Sequence, residues 1–380
     1  MHISRNSAVD ALRGAAIVLV LLLHFALAYG LRDSPLGVLP KTVLLAFARN
    51  GNYGVTIFFT ISGFLITTNA LRRWGSLSNI SLRDFYVLRV ARILPPLLLA
   101  LSIIVALGAA GLPYFSNTDG GHHLPTSHFW LGAGSVLTFW HNVLMQNTGY
   151  FNYSLNIYWS LSVEEMFYLL MPVLCLLLRR EWLLATVCGL AIAAGPLYRA
   201  AHPDDELYFM YGYLACFDAI ALGCIAAVLA RRYPLGQRAA QMGRLVSAVA
   251  IAALYLSGIA GHEVFGFSLV ALASAVFLVA TPAVQGAPGR VSAGLGWLGR
   301  HSYELYLFHI IVLGLMRNLV NRAGLTYLTR LPLFLLFLGT STLLAALVAR
   351  YVSEPCNAQL RRRLLLSSGD ATPTRGPVLP

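Results

Sequence analysis

The sequence predicts an all-α fold, a polytopic bundle of about ten transmembrane helices with the N- and C-termini in the cytoplasm. Hydrophobic residues make up 58% of the 380 residues and charged residues only 11%, whereas soluble domains carry about 25% charged residues. The apolar residues are gathered in long runs, and a helix needs roughly 20 of them to cross the hydrocarbon core. The basic residues lie between the runs, which is the pattern that orients spans in a membrane.

The apolar runs predict ten spans in chain order. They lie near residues 14–31, 53–70, 90–110, 158–178, 182–199, 210–230, 245–261, 264–282, 302–320 and 331–351. The aromatic segment 128–145 leaves an alternative open, because it can lie in the membrane interface, dip into the membrane or form an eleventh crossing. An eleventh crossing would invert the orientation of every later span.

Charge placement favours ten spans. With the N-terminus inside, the cytoplasmic segments hold 20 of the 27 Lys and Arg residues and the outer segments hold the other 7, in agreement with the positive-inside rule. The net charge of +12 therefore reflects topology, and we expect no nucleic-acid partner. We expect one transmembrane domain over residues 1–363 and a disordered cytoplasmic tail over residues 364–380, which are mostly small or polar and include prolines.

Ionisable side chains at membrane depth cost several kcal/mol on insertion scales and are candidate functional residues. In the first span, His24 follows Arg13 by 11 residues, which on a helix is about 16.5 Å along the axis and roughly 20° around it. Arg13 then lies at the cytoplasmic edge and His24 near mid-bilayer on the same face, where a neutral imidazole is a competent base. The structural alternative is an arginine that sets topology and a histidine that bonds a neighbouring helix.

Arg89 and Arg92 lie three residues apart at the cytoplasmic mouth of the third span, so they share one helix face. Two guanidinium groups in this arrangement suit a phosphate ligand. The positive-inside rule alone also predicts arginines at this place, and the spacing does not separate the two explanations.

Two further spans carry polar groups. Glu164 and Glu165 are expected in the outer half of the fourth span, where Ser162 and Glu165 can form a capping box, whereas Glu164 can pair with a histidine or arginine or hold a hydroxyl group. Ser302 begins the ninth span and His309 lies about 10 Å deeper, either within a site or as a helix-to-helix hydrogen bond. With arginines inside, histidines deeper and Glu164 outside, these residues predict a polar route across the bilayer.

Six short motifs follow one another through most of the chain. They are Asp10-Ala-Leu-Arg-Gly with His24 eleven residues after Arg13, the run Gly54–Thr67, Arg89-x-x-Arg92, the run WSLSVEEMFYLL from Trp159, the run Ser302–His309, and Tyr351 with Glu354-Pro355. In this order, the motifs resemble those of the acyltransferase-3 family of integral-membrane O-acyltransferases.

The resemblance implies an O-acyltransferase of the cytoplasmic (inner) membrane that moves an acyl group, most readily acetyl, from cytoplasmic acyl-CoA to a hydroxyl of a carbohydrate-containing acceptor. Nine residues receive expected roles: His24, Glu164 and Arg13 in catalysis, Arg89, Arg92 and Arg13 in binding the CoA phosphates, and His309, Asp10, Ser302 and Glu165 in support. No metal or disulfide is expected, because the five cysteines show neither Cys-x-x-Cys spacing nor His pairing.

Several alternatives stay open at this point. A transporter of a lipid-linked sugar or organic anion fits ten spans equally well, although the two halves show no repeat. The outer segment 111–157, with His122, His123, His128 and His141, forms either an interfacial aromatic belt or a sugar-stacking surface. The acceptor is a polysaccharide, lipopolysaccharide, peptidoglycan, a glycolipid or a sugar on a metabolite such as a macrolide. The oligomeric state and the choice between general-base and acyl-histidine chemistry are also left open.

Overall fold

The computed structural model describes residues 6–32, 34–117, 124–281 and 289–366, and all regular secondary structure in these ranges is helical. His122, His123 and residues 367–380 of the expected tail lie outside them. The α-helices are α1 (Ser7–Tyr29), α2 (Lys41–Arg49), α3 (Asn52–Trp74), α4 (Leu82–Ala109), α5 (Thr126–Leu137), α6 (His141–Thr148), α7 (Trp159–Leu178), α8 (Glu181–Ala201), α9 (Glu206–Tyr211), α10 (Tyr213–Arg232), α11 (Gln237–Ser257), α12 (Gly266–Val279), α13 (Arg290–Arg300), α14 (Ser302–Leu319), α15 (Tyr327–Val348) and α16 (Glu354–Leu366).

Within the described ranges, eight helical segments are long and apolar enough to cross a membrane. They are Ser7–Tyr29, Asn52–Trp74, Leu82–Ala109, Asn156–Leu178, Glu181–Ala201, Glu206–Arg232, Gln237–Ser257 and Tyr327–Leu365. The all-α polytopic membrane fold is therefore confirmed. The other two predicted spans correspond to α12, which has 14 residues, and α14, which has 18 residues but carries several polar side chains. The count of ten and the orientation stay predictions.

The aromatic segment 128–145 divides into two short helices. The helices α5 and α6 have 12 and 8 residues, and each is shorter than the roughly 20 residues that a crossing needs. The structure therefore provides no single helix for an eleventh crossing at this place.

The helix α4 begins about two turns earlier than the predicted span at residue 90. Ser81 caps it, because the hydroxyl of Ser81 accepts a hydrogen bond from the Asp84 N–H at 3.3 Å. Arg89 and Arg92 are consequently inside the helix and not at its mouth. Arg89 is half-buried and Arg92 is exposed, and both line the inner cavity described below.

Two pairs of glycines allow helices to pack with their backbones in contact. A Cβ on Gly63 of α3 would lie 2.1 Å from the Ile220 carbonyl oxygen of α10, and a Cβ on Gly223 would lie 2.0 Å from the Thr60 carbonyl oxygen. Such small-residue contacts are typical of helices that associate in membranes.

The second glycine pair fixes α1 against α13. A Cβ on Gly14 would lie 1.9 Å from the Leu295 carbonyl oxygen, and a Cβ on Gly299 would lie 1.8 Å from the Asp10 carbonyl oxygen. Because Gly14 follows Arg13 directly, this contact sets the depth and rotation of Arg13.

The chain leaves α15 through a π-helical turn, Ala349–Ser353, and continues as α16. A π turn widens the helix and shifts the facing of the residues that follow it. Ala349, Ser353 and Glu354 all line one large cavity that is described below.

We predict that Gly223→Ala destabilises the protein, because the new methyl group meets backbone atoms of α3 that cannot move away locally. Overpacking of this kind costs about 1–3 kcal/mol, so the midpoint of thermal unfolding in lipid nanodiscs should fall. Gly189→Ala on α8 is the matched control, since its Cβ meets nothing within 4 Å and alanine favours a helix by up to about 1 kcal/mol. Equal midpoints for the two variants would contradict the close α3–α10 contact.

Candidate active site

An inner cavity of about 100 Å³ lies among α1, α3, α4, α7 and α14. Its charged lining consists of Arg13, Arg89, Arg92, Glu164 and Glu165. Five ionisable groups therefore face one small space in the bundle. The free-energy cost of placing a charged side chain at this depth is lower when the side chain faces a cavity than when it faces lipid.

Glu164 is held by two hydroxyl groups. Ser62 of α3 donates a hydrogen bond to the Glu164 carboxylate at 2.6 Å, and Tyr168, one turn further along α7, donates another. The Ser62 and Tyr168 oxygens are themselves 2.5 Å apart. The three side chains form one compact hydrogen-bonded group on the wall of the inner cavity.

Glu165 does not form the capping box that the sequence suggested. The helix α7 begins at Trp159, so Ser162 is already inside it, and the Ser162 hydroxyl accepts from the His141 N–H at 3.1 Å. Glu165 is 7% exposed, and its Oε1 has no hydrogen-bond partner among the described residues. A buried carboxylate oxygen in this state is open to a donor group on a ligand.

The arginines of the inner cavity are anchored differently. Arg13 donates from Nη2 to the Ser302 hydroxyl at 2.9 Å, which joins α1 to α14. The Arg89 guanidinium lies 5.0 Å from the centre of the Tyr168 ring and 5.8 Å from that of Phe85, which are cation–π distances. Neither contact uses all five guanidinium N–H groups, so both arginines retain donors for an anion.

A larger vestibule of about 1050 Å³ adjoins the inner cavity. Its lining includes six arginines, Arg13, Arg72, Arg92, Arg231, Arg300 and Arg361. The acidic residues on the same lining are Asp10, Glu304 and Glu354. Because Arg13, Arg92 and Tyr303 line both spaces, the vestibule and the inner cavity are adjacent.

Two histidines meet between α1 and α14. The rings of His24 and His309 pack edge to face, with centroids 4.9 Å apart and planes at 64°. His309 is fully buried and His24 is half-buried. His24 lies five residues before the end of α1 at Tyr29, and so in the half of this helix that is further from Arg13.

Their hydrogen bonds fix the same tautomer in both rings. The Nδ1 of His24 lies 2.9 Å from the Val20 carbonyl oxygen, and the Nδ1 of His309 lies 3.0 and 2.8 Å from the carbonyl oxygens of Leu305 and Tyr306. A carbonyl oxygen only accepts, so each Nδ1 carries the hydrogen and each neutral Nε2 presents a lone pair. The His309 Nε2 is buried with no partner among the described residues.

The sequence predicted that Glu164 lies on the outer side of His24 and His309, and this prediction is wrong. Glu164 lines the inner cavity together with Arg13, Arg89 and Arg92 and does not lie beyond the histidines, because its carboxylate bonds to Ser62 on the wall of this cavity. Neither histidine is among the residues that line the inner cavity or the vestibule. Tyr306 connects the two regions, since it lines the inner cavity and its ring lies 5.9 Å from that of His309.

The sequence profile of the acyltransferase domain matches residues 6–350. The chain belongs to the acyltransferase-3 family. It is 24% identical over 337 residues, 81% of this chain and 49% of the relative, to the peptidoglycan O-acetyltransferase OatA of Listeria monocytogenes. It is also 25% identical over 294 residues, 70% of this chain and 45% of the relative, to the putative peptidoglycan O-acetyltransferase YrhL of Bacillus subtilis.

A putative O-acetyltransferase of Staphylococcus aureus is 24% identical over 347 residues, 84% of this chain and 55% of the relative. The chain thus spans about half the length of the curated relatives it matches. No solved structure matches the chain.

In this acyltransferase-3 protein, the motifs of α1, α3, α4, α7 and α14 all reach the inner cavity. Sequence reasoning missed Ser62, Tyr168 and Tyr306 as parts of the site. Tyr168 follows Glu164 by four residues, so helical spacing was a usable signal, whereas the contact of Ser62 depends on how α3 packs. Four of the 20 basic residues that the charge count assigned to the cytoplasmic side also line the vestibule, namely Arg72, Arg231, Arg300 and Arg361.

The histidines of the outer segment within the described ranges pack against an aromatic ring. His128 and His141 lie 4.8 and 5.5 Å from the Phe151 ring. His141 shares a hydrogen bond of 2.7 Å with Ser135, and burial lowers the pKa of His141 to about 3. Where the structure is described, no group of three or more His, Cys, Asp or Glu side chains is arranged to hold a metal ion.

We predict that Ser62→Ala lowers the stability of the protein by about 1.5–3 kcal/mol, the range for a hydrogen bond to a charged group. The lost hydroxyl leaves the half-buried Glu164 carboxylate with fewer donors, and thermal unfolding in nanodiscs measures the change. Ser257→Ala is the control, because the Ser257 hydroxyl is exposed and bonds only within its own helix. An unchanged midpoint for Ser62→Ala would show that Ser62 does not hold Glu164.

Proposed function

We propose that this acyltransferase-3 protein transfers an acetyl group from cytoplasmic acetyl-CoA to a hydroxyl group of a carbohydrate acceptor, and that His24 is the catalytic base. The observation that carries the proposal is the His24–His309 pair. Two neighbouring imidazoles with Nδ1 bound to carbonyl oxygens present two acceptor nitrogens and no donor between them. A hydroxyl group supplies the missing donor.

The vestibule supports the choice of donor substrate. CoA carries several phosphate groups, and six arginines line a space of about 1050 Å³ that is adjacent to the inner cavity. Guanidinium groups bind phosphate in a bidentate manner and remain charged at all physiological pH values. In the proposed complex, Arg92 and Arg89 hold phosphates, and the pantetheine arm follows the inner cavity past Glu165, whose free oxygen accepts an amide N–H.

The size of the inner cavity favours a short acyl group. Its volume of about 100 Å³ holds about seven to ten water-sized groups, because one water occupies roughly 10–15 Å³ of such space. An acetyl thioester fits this volume better than a long acyl chain does.

The proposed reaction is a direct transfer. The Nε2 of His24 takes the proton of the acceptor hydroxyl while the hydroxyl oxygen attacks the carbonyl carbon of the thioester. The carbon–sulfur bond breaks, the imidazolium returns the proton to the departing sulfur, and CoA leaves as the free thiol. His309 positions the acceptor hydroxyl through its own Nε2, and Ser302 and Asp10 support Arg13.

The relatives favour a cell-wall or related glycan as the acceptor, since two of them are named as peptidoglycan O-acetyltransferases, one of these putatively. Enzymes of this kind meet their glycan outside the cytoplasm. The location of His24 near the Tyr29 end of α1 suits an acceptor that enters from the side opposite the vestibule.

We predict that His24→Ala reduces acetyl transfer by about 10² to 10⁴-fold, the usual contribution of a general base, without loss of folding. In the assay, protein embedded in nanodiscs is incubated with labelled acetyl-CoA and soluble peptidoglycan fragments. The release of CoA thiol and the formation of the labelled ester are measured. His262→Ala is the control, because His262 is exposed on the loop before α12. Full activity in His24→Ala would defeat the assignment.

The wild-type protein in the same assay tests the function itself. A transporter that uses the same polar route would release no CoA thiol from acetyl-CoA. A burst of labelled protein in the absence of acceptor would identify an acyl-histidine intermediate instead of direct transfer.

We predict that Arg92→Gln raises the KM for acetyl-CoA by about 10- to 100-fold, corresponding to the 1.5–3 kcal/mol of a charged hydrogen bond, and changes kcat little. S-acetylpantetheine, which lacks the nucleotide phosphates, should be used equally well by wild type and variant. Arg238→Gln on the exposed start of α11 is the control. An equal loss with both donors would mean that Arg92 does not contact phosphate.

A further inference from the structure

A third cavity lies outside the site, between α3, α7, α8 and α10. Its volume is about 780 Å³, and apolar side chains of all four helices form most of its lining. The helix α8 is the least enclosed of the four: only 11% of its apolar stretch is buried. This cavity is called the lateral groove.

Charge is confined to one end of the lateral groove. Its charged lining residues are Glu181, the first residue of α8, and Arg231 and Arg232, the last two residues of α10. The end of α3, at Gly75, lies beside them, because Arg231 donates hydrogen bonds to the carbonyl oxygens of Leu71 and Gly75 at 3.3 and 3.2 Å. No ion pair joins Glu181 to either arginine in the part of the chain that the structure describes. The groove therefore has one cationic end and an apolar remainder.

We propose that the lateral groove binds one glycerophospholipid with an anionic headgroup, taken from the surrounding bilayer. Its acyl chains lie along the apolar lining, and its phosphate lies at Arg231 and Arg232. The basic residues of the groove lie at helix ends that the charge distribution predicts to face the cytoplasm. Basic pockets between membrane helices on that side suit anionic lipid headgroups.

The bound lipid lies next to the vestibule but not inside it. Arg231 and Leu71 line both spaces, whereas Arg232 lines only the lateral groove. Arg232 is thus the arginine through which lipid binding can be changed without altering the vestibule. The proposal is independent of the acceptor and donor chemistry above.

Native mass spectrometry tests the proposal on protein extracted from nanodiscs of equal parts phosphatidylglycerol and phosphatidylcholine. We expect one retained phosphatidylglycerol per chain. Arg232→Gln should lower the phosphatidylglycerol preference about fivefold, equivalent to about 1 kcal/mol for one basic residue near the membrane surface. Arg238→Gln on α11, outside the lateral groove, should leave the preference unchanged.

A second pair of variants tests the apolar part. Ala185→Trp fills the groove from α8 and should abolish lipid retention, whereas Leu190→Trp, on the same helix but outside the lining, should not. Both positions are exposed in the bundle, so neither tryptophan has to enter a packed core.

The native thiols give a readout that does not require extraction. Cys188 lines the lateral groove and Cys356 on α16 does not. The rate at which Cys188 reacts with N-ethylmaleimide is measured relative to that of Cys356. This relative rate should be lower in nanodiscs that contain phosphatidylglycerol than in nanodiscs of phosphatidylcholine alone. Equal retention of both lipids, an unchanged preference in Arg232→Gln or equal protection of Cys188 by soluble glycerophosphate would overturn the proposal.

Discussion

The packing of α1 against α13 and α14 is the constraint on which the site depends. Gly14 and Gly299 let the backbones of α1 and α13 touch, and α13 leads through a single residue into α14. With α1 fixed in this way, Arg13 reaches Ser302 and His24 reaches His309. One residue of rotation turns a helix face by about 100°, so a slip of α1 would break both contacts together.

The charges inside the bundle fall into two kinds. Arg199 is fully buried and bonds to Asp218 at 2.7 Å, to Ser268 and to the Val264 and Ala215 carbonyl oxygens. This arginine is satisfied by the protein, as a buried structural charge has to be. Arg13 and Arg92, in contrast, line two adjacent cavities. The difference in their surroundings separates a charge that holds helices together from charges that can receive an anion.

Much of the fold follows from local sequence properties. Each of the ten predicted apolar runs coincides largely with a helix in the part of the chain that the structure describes, because a run of apolar residues in lipid has no better way to satisfy its backbone. The spacing of Arg13 and His24 also placed both side chains on the face that meets α14, since helical periodicity is a property of one segment. The resemblance to the acyltransferase-3 family, drawn from six motifs, is confirmed over residues 6–350.

The remaining features depend on contacts between segments that are far apart in the chain. The start of α4 at Leu82 is set by the Ser81 cap in a polar stretch, where hydropathy gives no signal. The depth of Glu164 follows from Ser62, which is 102 residues away. The pairing of His24 with His309 joins residues that are about three quarters of the chain apart. A single sequence shows which residues are unusual for a membrane but not which of them meet.

Tyr306 is the side chain that has to move in the proposed reaction. Its hydroxyl donates to the Ile157 carbonyl oxygen at 2.6 Å and shares a second hydrogen bond of 2.6 Å with Ser160. The ring borders the inner cavity on one side and contacts His309 on the other. A thioester in the inner cavity reaches His24 only when this ring moves aside. Each of the two hydrogen bonds contributes a net of about 1 kcal/mol. A conformation in which the ring has moved aside is therefore a few kcal/mol higher in free energy, and substrate binding can select a minor conformation of this kind. In the proposed reaction, this ring separates the inner cavity from the histidine pair until a donor binds.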